Sequence, residues 1–228
     1  MLFRVMHLYP ICSILSVGIT LFISLSECRK PKGIAEKIRK VVKFTMKKTK
    51  KLTFCALMAA MSVVLMLISK VIPAPWLQGG SITIASTVPL IMAALLYGPK
   101  WWLLTSLTYA IIQLVTGFYP PPTQTLLNFV LVVMLDYILA FGVFGLAGLF
   151  YKKDKPFTIP LSAFIVTTLR YVCHIISGLL IWGVYAEGQS VVAYSLSYNG
   201  SYMIPEIIIN TVVMALLIRV VKNLEKRN

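Results

Sequence analysis

From Leu52 onward the chain is a succession of long apolar runs separated by short connections. A helix that crosses a bilayer needs ~20 apolar residues at about 1.5 Å of rise each. Six stretches meet or approach that requirement: 52–72, 81–97, 101–118, 126–150, 159–182 and 202–221. The connections carry turn chemistry, with Pro73-Ala74-Pro75 and Gly79-Gly80 in the first, Gly98-Pro99 in the second, Pro120-Pro121-Pro122 in the third and Pro156 in the fourth. The pattern predicts an all-α integral membrane protein, a six-transmembrane-helix bundle occupying residues 46–228.

Composition agrees, because 58% of the residues are apolar and only 13% charged, against about 25% charged in soluble domains. The net charge of +15 would suggest nucleic acid in a soluble protein. Here eleven of the basic residues lie between Arg29 and Lys51, and most others sit where apolar runs end. The charge therefore points to the lipid bilayer and not to nucleic acid. Lys47, Lys48, Lys50 and Lys51, then Lys100, then Lys152, Lys153 and Lys155, then Arg219, Lys222, Lys226 and Arg227 all fall on one side of a six-span chain. The opposite connections, 73–80, 119–125 and 183–201, carry neither Lys nor Arg. The positive-inside rule then puts both termini in the cytoplasm of a multi-pass protein of the bacterial plasma membrane.

Residues 1–45 allow three readings. The run 11–26 is a marginal seventh span or a signal-peptide-like segment without a small-residue cleavage site. The favoured reading takes Met46-Lys47-Lys48-Thr49-Lys50-Lys51 as the translation start, since it looks like the short basic N-terminus of a membrane protein. Under the plainest reading the polybasic tract is a solvated stretch held by anionic lipid headgroups. Cys12, Cys28, Cys55 and Cys173 have no paired spacing and read as small core residues.

Polar groups at membrane depth are costly and mark function. Asp136 sits inside the fourth run, about 15 Å from its outer end. Arg170 and His174 share one face of the fifth run at i, i+4, about 18 Å and 12 Å below its outer end at Trp182, so all three lie at similar depth. One reading is an Asp136–Arg170 ion pair that only holds two helices together; for His174 alone it is a core histidine bonded to a carbonyl. The other is a site: on a continuous helix His174, Gly178 and Trp182 progress by fours within an arc of about 80°, lining up an imidazole, a gap and an indole. The outer connection beyond Trp182 adds Tyr185, Glu187, Tyr194, Tyr198 and Asn199. Interfacial aromatic belts explain such tyrosines singly. Together with a carboxylate they suit a small aromatic cation. The chain has no phosphate-binding loop, no His-Glu-x-x-His and no nucleophile motif, so it is not read as an enzyme, and no cofactor is expected. Ala56-x-x-x-Ala60, with Ala59 alongside, allows close approach of another helix, within this subunit or from a partner.

The run Arg170-Tyr171-Val172-Cys173-His174-Ile175-Ile176-Ser177-Gly178, followed by Trp182, Val192-Ala193-Tyr194-Ser195-Leu196 and Tyr198-Asn199-Gly200, resembles the thiamine-specific substrate-binding subunits (S components) of energy-coupling-factor transporters, the ThiT family. Leu135-Asp136-Tyr137 with Gly145-Leu146-Ala147-Gly148-Leu149-Phe150, and Gln78-Gly79-Gly80-Ser81 with Val88-Pro89, extend the likeness to about residues 46–225. The resemblance implies a six-helix subunit that captures thiamine from outside with high affinity. A separate transmembrane coupling subunit and two cytosolic ATPases would supply energy. Carried over by position, His174 and Trp182 would flank the thiazolium, Gly178 would leave room for it, and Tyr194 and Asn199 would bond the aminopyrimidine. Asp136 with Tyr137 takes the place of the family's acidic ligand, a Glu in some relatives, and Arg170 is a supporting ion-pair partner. Trp76 would supply the aromatic lid. Ala56 and Ala60 match the motif that docks on the coupling subunit. The alternative is a self-sufficient proton-coupled carrier with Asp136, Arg170, His174 and Glu206 as its relay.

Overall fold

The computed structural model describes residues 32–71 and 80–227, so Trp76, Cys12 and Cys28 lie outside the described residues. The chain divides into two compact units, Met1–Lys50 and Lys51–Asn228. The described part of the first is helical and exposed, with a Glu36–Lys40 ion pair at 2.7 Å and Lys48 lying 4.2 Å over the Phe44 ring. Surface contacts of this kind contribute little.

Six helices and a short seventh follow in order: α1 Lys32–Ser69, α2 Val88–Tyr97, α3 Pro99–Gly117, α4 Leu126–Phe150, α5 Thr158–Leu180, α6 Val191–Leu216 and α7 Ile218–Arg227. The described residues contain no strand. α1, α4 and α5 are each long and apolar enough to cross a bilayer, and α6 with α7, bent by 54° between them, makes a fourth. From Lys51 on, α1 buries Cys55, Met58, Ala59, Ser62, Met66 and Ser69, a stripe at helical spacing, while Leu57, Met61, Val64, Leu67 and Ile68 stay exposed. In water such a face would be a liability, but against lipid tails it is at home.

Three boundaries differ from the sequence expectation. The second run is helical only over ten residues, from Val88, a rise of about 15 Å. Ahead of it the backbone is irregular, with Gly80 at φ +100° and Ala85 at φ +55°. Such backbone is tolerated at membrane depth only where protein groups satisfy it. Here they do: Ile84 N–H donates to Ser69 Oγ at 2.7 Å and Thr83 N–H donates to Glu206 Oε1 at 2.9 Å, while Asn210 Nδ2 donates to the Thr87 side chain at 2.9 Å. Pro89 in the first turn of α2 explains why the helix starts there.

α5 ends at Leu180, so Trp182 opens a separate 3₁₀ turn, Trp182–Tyr185, instead of continuing the helical arc. α6 begins at Val191, eleven residues before the expected start, with Ser190 Oγ accepting the Ala193 N–H at 3.1 Å as its N-cap. Gly200, expected in the outer connection 183–201, is inside the helix. A Cβ there would stand 2.9 Å from the Tyr171 hydroxyl, so the glycine serves close helix approach.

α4 is continuous in direction but not in winding. Thr125 caps it, and a π-helical stretch, Val133–Leu139, interrupts it around Asp136 and Tyr137. Farther on, Trp102 of α3 lies on Gly145, where any Cβ would meet the indole at 1.7 Å. Lys70, just past the end of α1, donates Nζ to the Thr116 carbonyl at 3.1 Å and so satisfies the last turn of α3.

Candidate functional site

The last turns of α3, the middle of α4, the second half of α5 and the first turns of α6 surround a cavity of about 140 Å³. Its walls come from Gly80 and Ser81, from Gln113 and Tyr119, from Asp136, Tyr137 and Phe141 of α4, from Arg170 and His174 of α5, from Trp182, and from Tyr194, Tyr198, Asn199 and Tyr202 of α6.

Asp136 is the centre of its hydrogen bonding. His174 Nδ1 donates to Oδ1 at 2.9 Å, while the Ser177 hydroxyl and Trp182 Nε1 donate to Oδ2 at 2.6 and 3.3 Å. Trp182 Nε1 also donates to Ser177 Oγ at 3.1 Å. The π-helical stretch explains how one carboxylate reaches partners on α5 and beyond it: an extra residue in a turn rotates the face of all that follows by about 100°. A carboxylate only accepts, so Nδ1 of His174 carries a proton. Its Nε2, like the Tyr194 hydroxyl, is buried with no hydrogen-bond partner among the described residues. Arg170 Nε, on a third cavity-lining residue, is likewise unpartnered; buried polar atoms left unpaired are rare, and several around one cavity mark a place for a ligand.

Aromatic faces surround this centre. Trp182 lies 5.6 Å from Tyr119 and is stacked on Tyr185 at 6.4 Å, and Tyr194 is stacked on Tyr198 at 5.5 Å. Tyr194, Tyr198 and Tyr202 recur every four residues on α6 and so share a face. Asn199 is turned to structure, with Nδ2 donating to the carbonyls of His174 and Ser195 at 3.2 and 3.0 Å and Oδ1 accepting from the Tyr202 hydroxyl. Tyr137 closes the α3–α4 connection, its hydroxyl donating to the Gly117 carbonyl at 3.0 Å and accepting the Tyr119 N–H at 3.2 Å.

Two expected contacts take another form. Arg170 pairs with Glu206, Nη1 to Oε2 at 2.6 Å, and not with Asp136. Depth along two helices is readable from sequence, but the side on which a third helix supplies a carboxylate is not. Gly178 lies behind the cavity wall, where a Cβ would stand 2.1 Å from Ser195 Oγ and 3.1 Å from Asn199 Nδ2. Its missing side chain lets α5 and α6 touch. Ala56 and Ala60 are exposed on α1, beside a groove lined by Leu104, Thr108 and Ile112 of α3.

The profile of the thiamine transporter protein family (Thia_YuaJ) matches residues 52–226. The chain belongs to this family. Thiamine transporter ThiT of Bacillus subtilis (strain 168) is 35% identical over 177 residues, covering 71% of this chain and 86% of that one. ThiT of Lacticaseibacillus paracasei is 31% identical over 103 residues, covering 40% and 51%. The fold is that of ThiT from Listeria monocytogenes, with a TM-score of 0.62 at 22% identity, over 78% of this chain and 98% of that one. Family members of this kind are transporters, so the chain is a multi-pass membrane transport protein and not an enzyme.

Family membership puts the sequence signals in order. Ser177 and Tyr202 escaped sequence reasoning because each is common in apolar runs, and Tyr119 because a single tyrosine beside Pro120 at a span end reads as an interfacial aromatic. Glu206 had a usable signal, a lone carboxylate after Pro205 in an otherwise apolar stretch.

Proposed function

We propose that the chain is the thiamine-capture subunit of an ATP-driven energy-coupling-factor importer, taking thiamine into the cavity around Asp136. The observation that carries this reading is that His174 Nε2 and the Tyr194 hydroxyl are buried and unpaired beside a three-donor carboxylate inside an aromatic wall. Thiamine has what such a wall takes: a permanent cation for Asp136 and the aromatic faces, and an aminopyrimidine for hydrogen bonds. His174 and Trp182 flank the thiazolium, Tyr194 and Asn199 serve the aminopyrimidine side, and Tyr137 holds the wall. Relatives named thiamine transporters support the ligand.

The lack of a phosphate-binding loop supports an external motor, supplied by a transmembrane coupling subunit and two cytosolic ATPases. The exposed small-residue edge Ala56–Ala60 is its docking strip, because small side chains let helices approach closely. Two measurements test the reading. Titrating the purified protein with thiamine quenches its tryptophan fluorescence if Trp182 stacks on the ligand, and an unchanged signal with no calorimetric binding refutes capture. Uptake into liposomes containing the protein alone, driven by a pH gradient, would show a self-sufficient proton-coupled carrier instead.

A further inference from the structure

Arg170 lines a cavity read above as a cation site, which is an electrostatic conflict unless its charge is offset. Asp136 makes no contact with it, since its oxygens are engaged by His174, Ser177 and Trp182, and its charge is the one assigned to the ligand. Glu206 can. It is 1% exposed, does not itself line the cavity, and holds Arg170 Nη1 at 2.6 Å while the guanidinium packs 4.8 Å over the Phe141 ring.

The other oxygen of Glu206 has a separate task. It accepts both the backbone N–H of Thr83, at 2.9 Å, and the Thr83 hydroxyl. Thr83 belongs to the irregular segment 80–87, which has no helical ladder to hold it in register. Gly80 and Ser81, just ahead of it, form cavity wall, and Gly80 lies so close on Tyr202 that a Cβ would stand 2.7 Å from the ring. A shift of Thr83 would move that wall.

We infer that Glu206 is a positioning residue for ligand selectivity: one oxygen neutralises Arg170 so that the cavity stays receptive to a cation, and the other pins residues 80–83 as wall. Glu206 touches no ligand in this arrangement and acts only through Arg170 and Thr83. The inference rests on the cation-site reading for its first half and is independent of it for its second.

Two variants separate the halves. Glu206→Gln keeps an acceptor for Thr83 but leaves Arg170 uncompensated. R170M/E206M removes both charges together, which folded proteins tolerate far better than removal of one, and deprives Thr83 of its acceptor. Binding is measured by calorimetry for thiamine and for an analogue whose thiazolium is replaced by an uncharged ring, and backbone hydrogen exchange is followed by mass spectrometry without ligand. Glu206→Gln should lower the thiamine-to-analogue affinity ratio by about tenfold or more, the effect of one unscreened charge near a bound cation, with exchange at 80–84 unchanged. R170M/E206M should restore that ratio and speed exchange at 80–84 by about tenfold or more, as expected when a local opening loses a main-chain anchor.

An unchanged ratio in Glu206→Gln overturns the charge half, and unchanged exchange in the double variant overturns the anchoring half. A double variant that does not fold assigns the pair to folding alone and overturns both. If Glu206→Gln does not fold, Arg170→Met decides the charge half, because the uncompensated carboxylate should raise the ratio by about tenfold and an unchanged ratio overturns it, while the double variant's exchange still decides the anchoring half. Wild-type protein that fails to bind thiamine refutes the capture reading and with it the charge half, while the exchange result stands by itself.

Discussion

Asp136→Asn separates charge pairing from orientation. The amide can keep its oxygen toward His174 Nδ1 and turn its NH₂ to Ser177, whose hydroxyl can rotate to accept. Trp182 Nε1 then retains only Ser177 Oγ. That loss is one neutral-strength hydrogen bond, about 1 kcal/mol, felt by any ligand that uses the wall. The charge is a second and larger contribution. A thiazolium about 6 Å from the carboxylate, at an effective dielectric of about 20, gains about 3 kcal/mol. Arg170 does not complicate the outcome, because Glu206 holds it whether or not Asp136 is charged. Thiamine should therefore lose about 4 kcal/mol, roughly a thousandfold in Kd, and an uncharged analogue with the same pyrimidine only about fivefold. Calorimetric titration of both ligands against wild type and variant reads this directly. Equal losses would show that Asp136 only orients His174, Ser177 and Trp182, and that the cation is balanced elsewhere.

Trp182→Ala should weaken thiamine binding by at least ~1 kcal/mol, since a desolvated indole face on a cation contributes about that or more; unchanged affinity by calorimetry removes Trp182 from the site. Ala56→Trp with Ala60→Trp should leave thiamine binding intact and abolish ATP-driven uptake in liposomes holding the full complex, because both positions are exposed and lie away from the cavity; parallel loss of binding and uptake would point to misfolding. Gly178→Ala forces a methyl to within 2.1 Å of Ser195 Oγ and should destabilise the α5–α6 contact by about 1–3 kcal/mol; a thermal melt identical to wild type would show that the helices yield at no cost.

Much of the architecture is written locally. Apolar runs of bilayer length, broken at Pro73, Gly98-Pro99, Pro120-Pro121-Pro122 and Pro156, determine an all-helical membrane chain, because the cost of leaving backbone groups unpaired in lipid acts on each segment separately. The rarity of Asp136, Arg170 and His174 in such runs determines that they matter, for the same reason. What the runs do not encode is which polar group meets which. The π-helical stretch around Asp136 rotates its carboxylate toward His174, Ser177 and Trp182, and a break after Leu180 frees the indole to reach it. Arg170 finds Glu206, 36 residues away in sequence, because α6 starts at Val191 and packs along α5 through Gly178 and Gly200. Segment 80–87 is apolar enough to pass for a helix, yet it unwinds where Ser69, Glu206 and Asn210 satisfy its polar groups. Hydropathy adds up along the chain, whereas pairing depends on the rotation and register of helices against one another. Only the tertiary structure decides those.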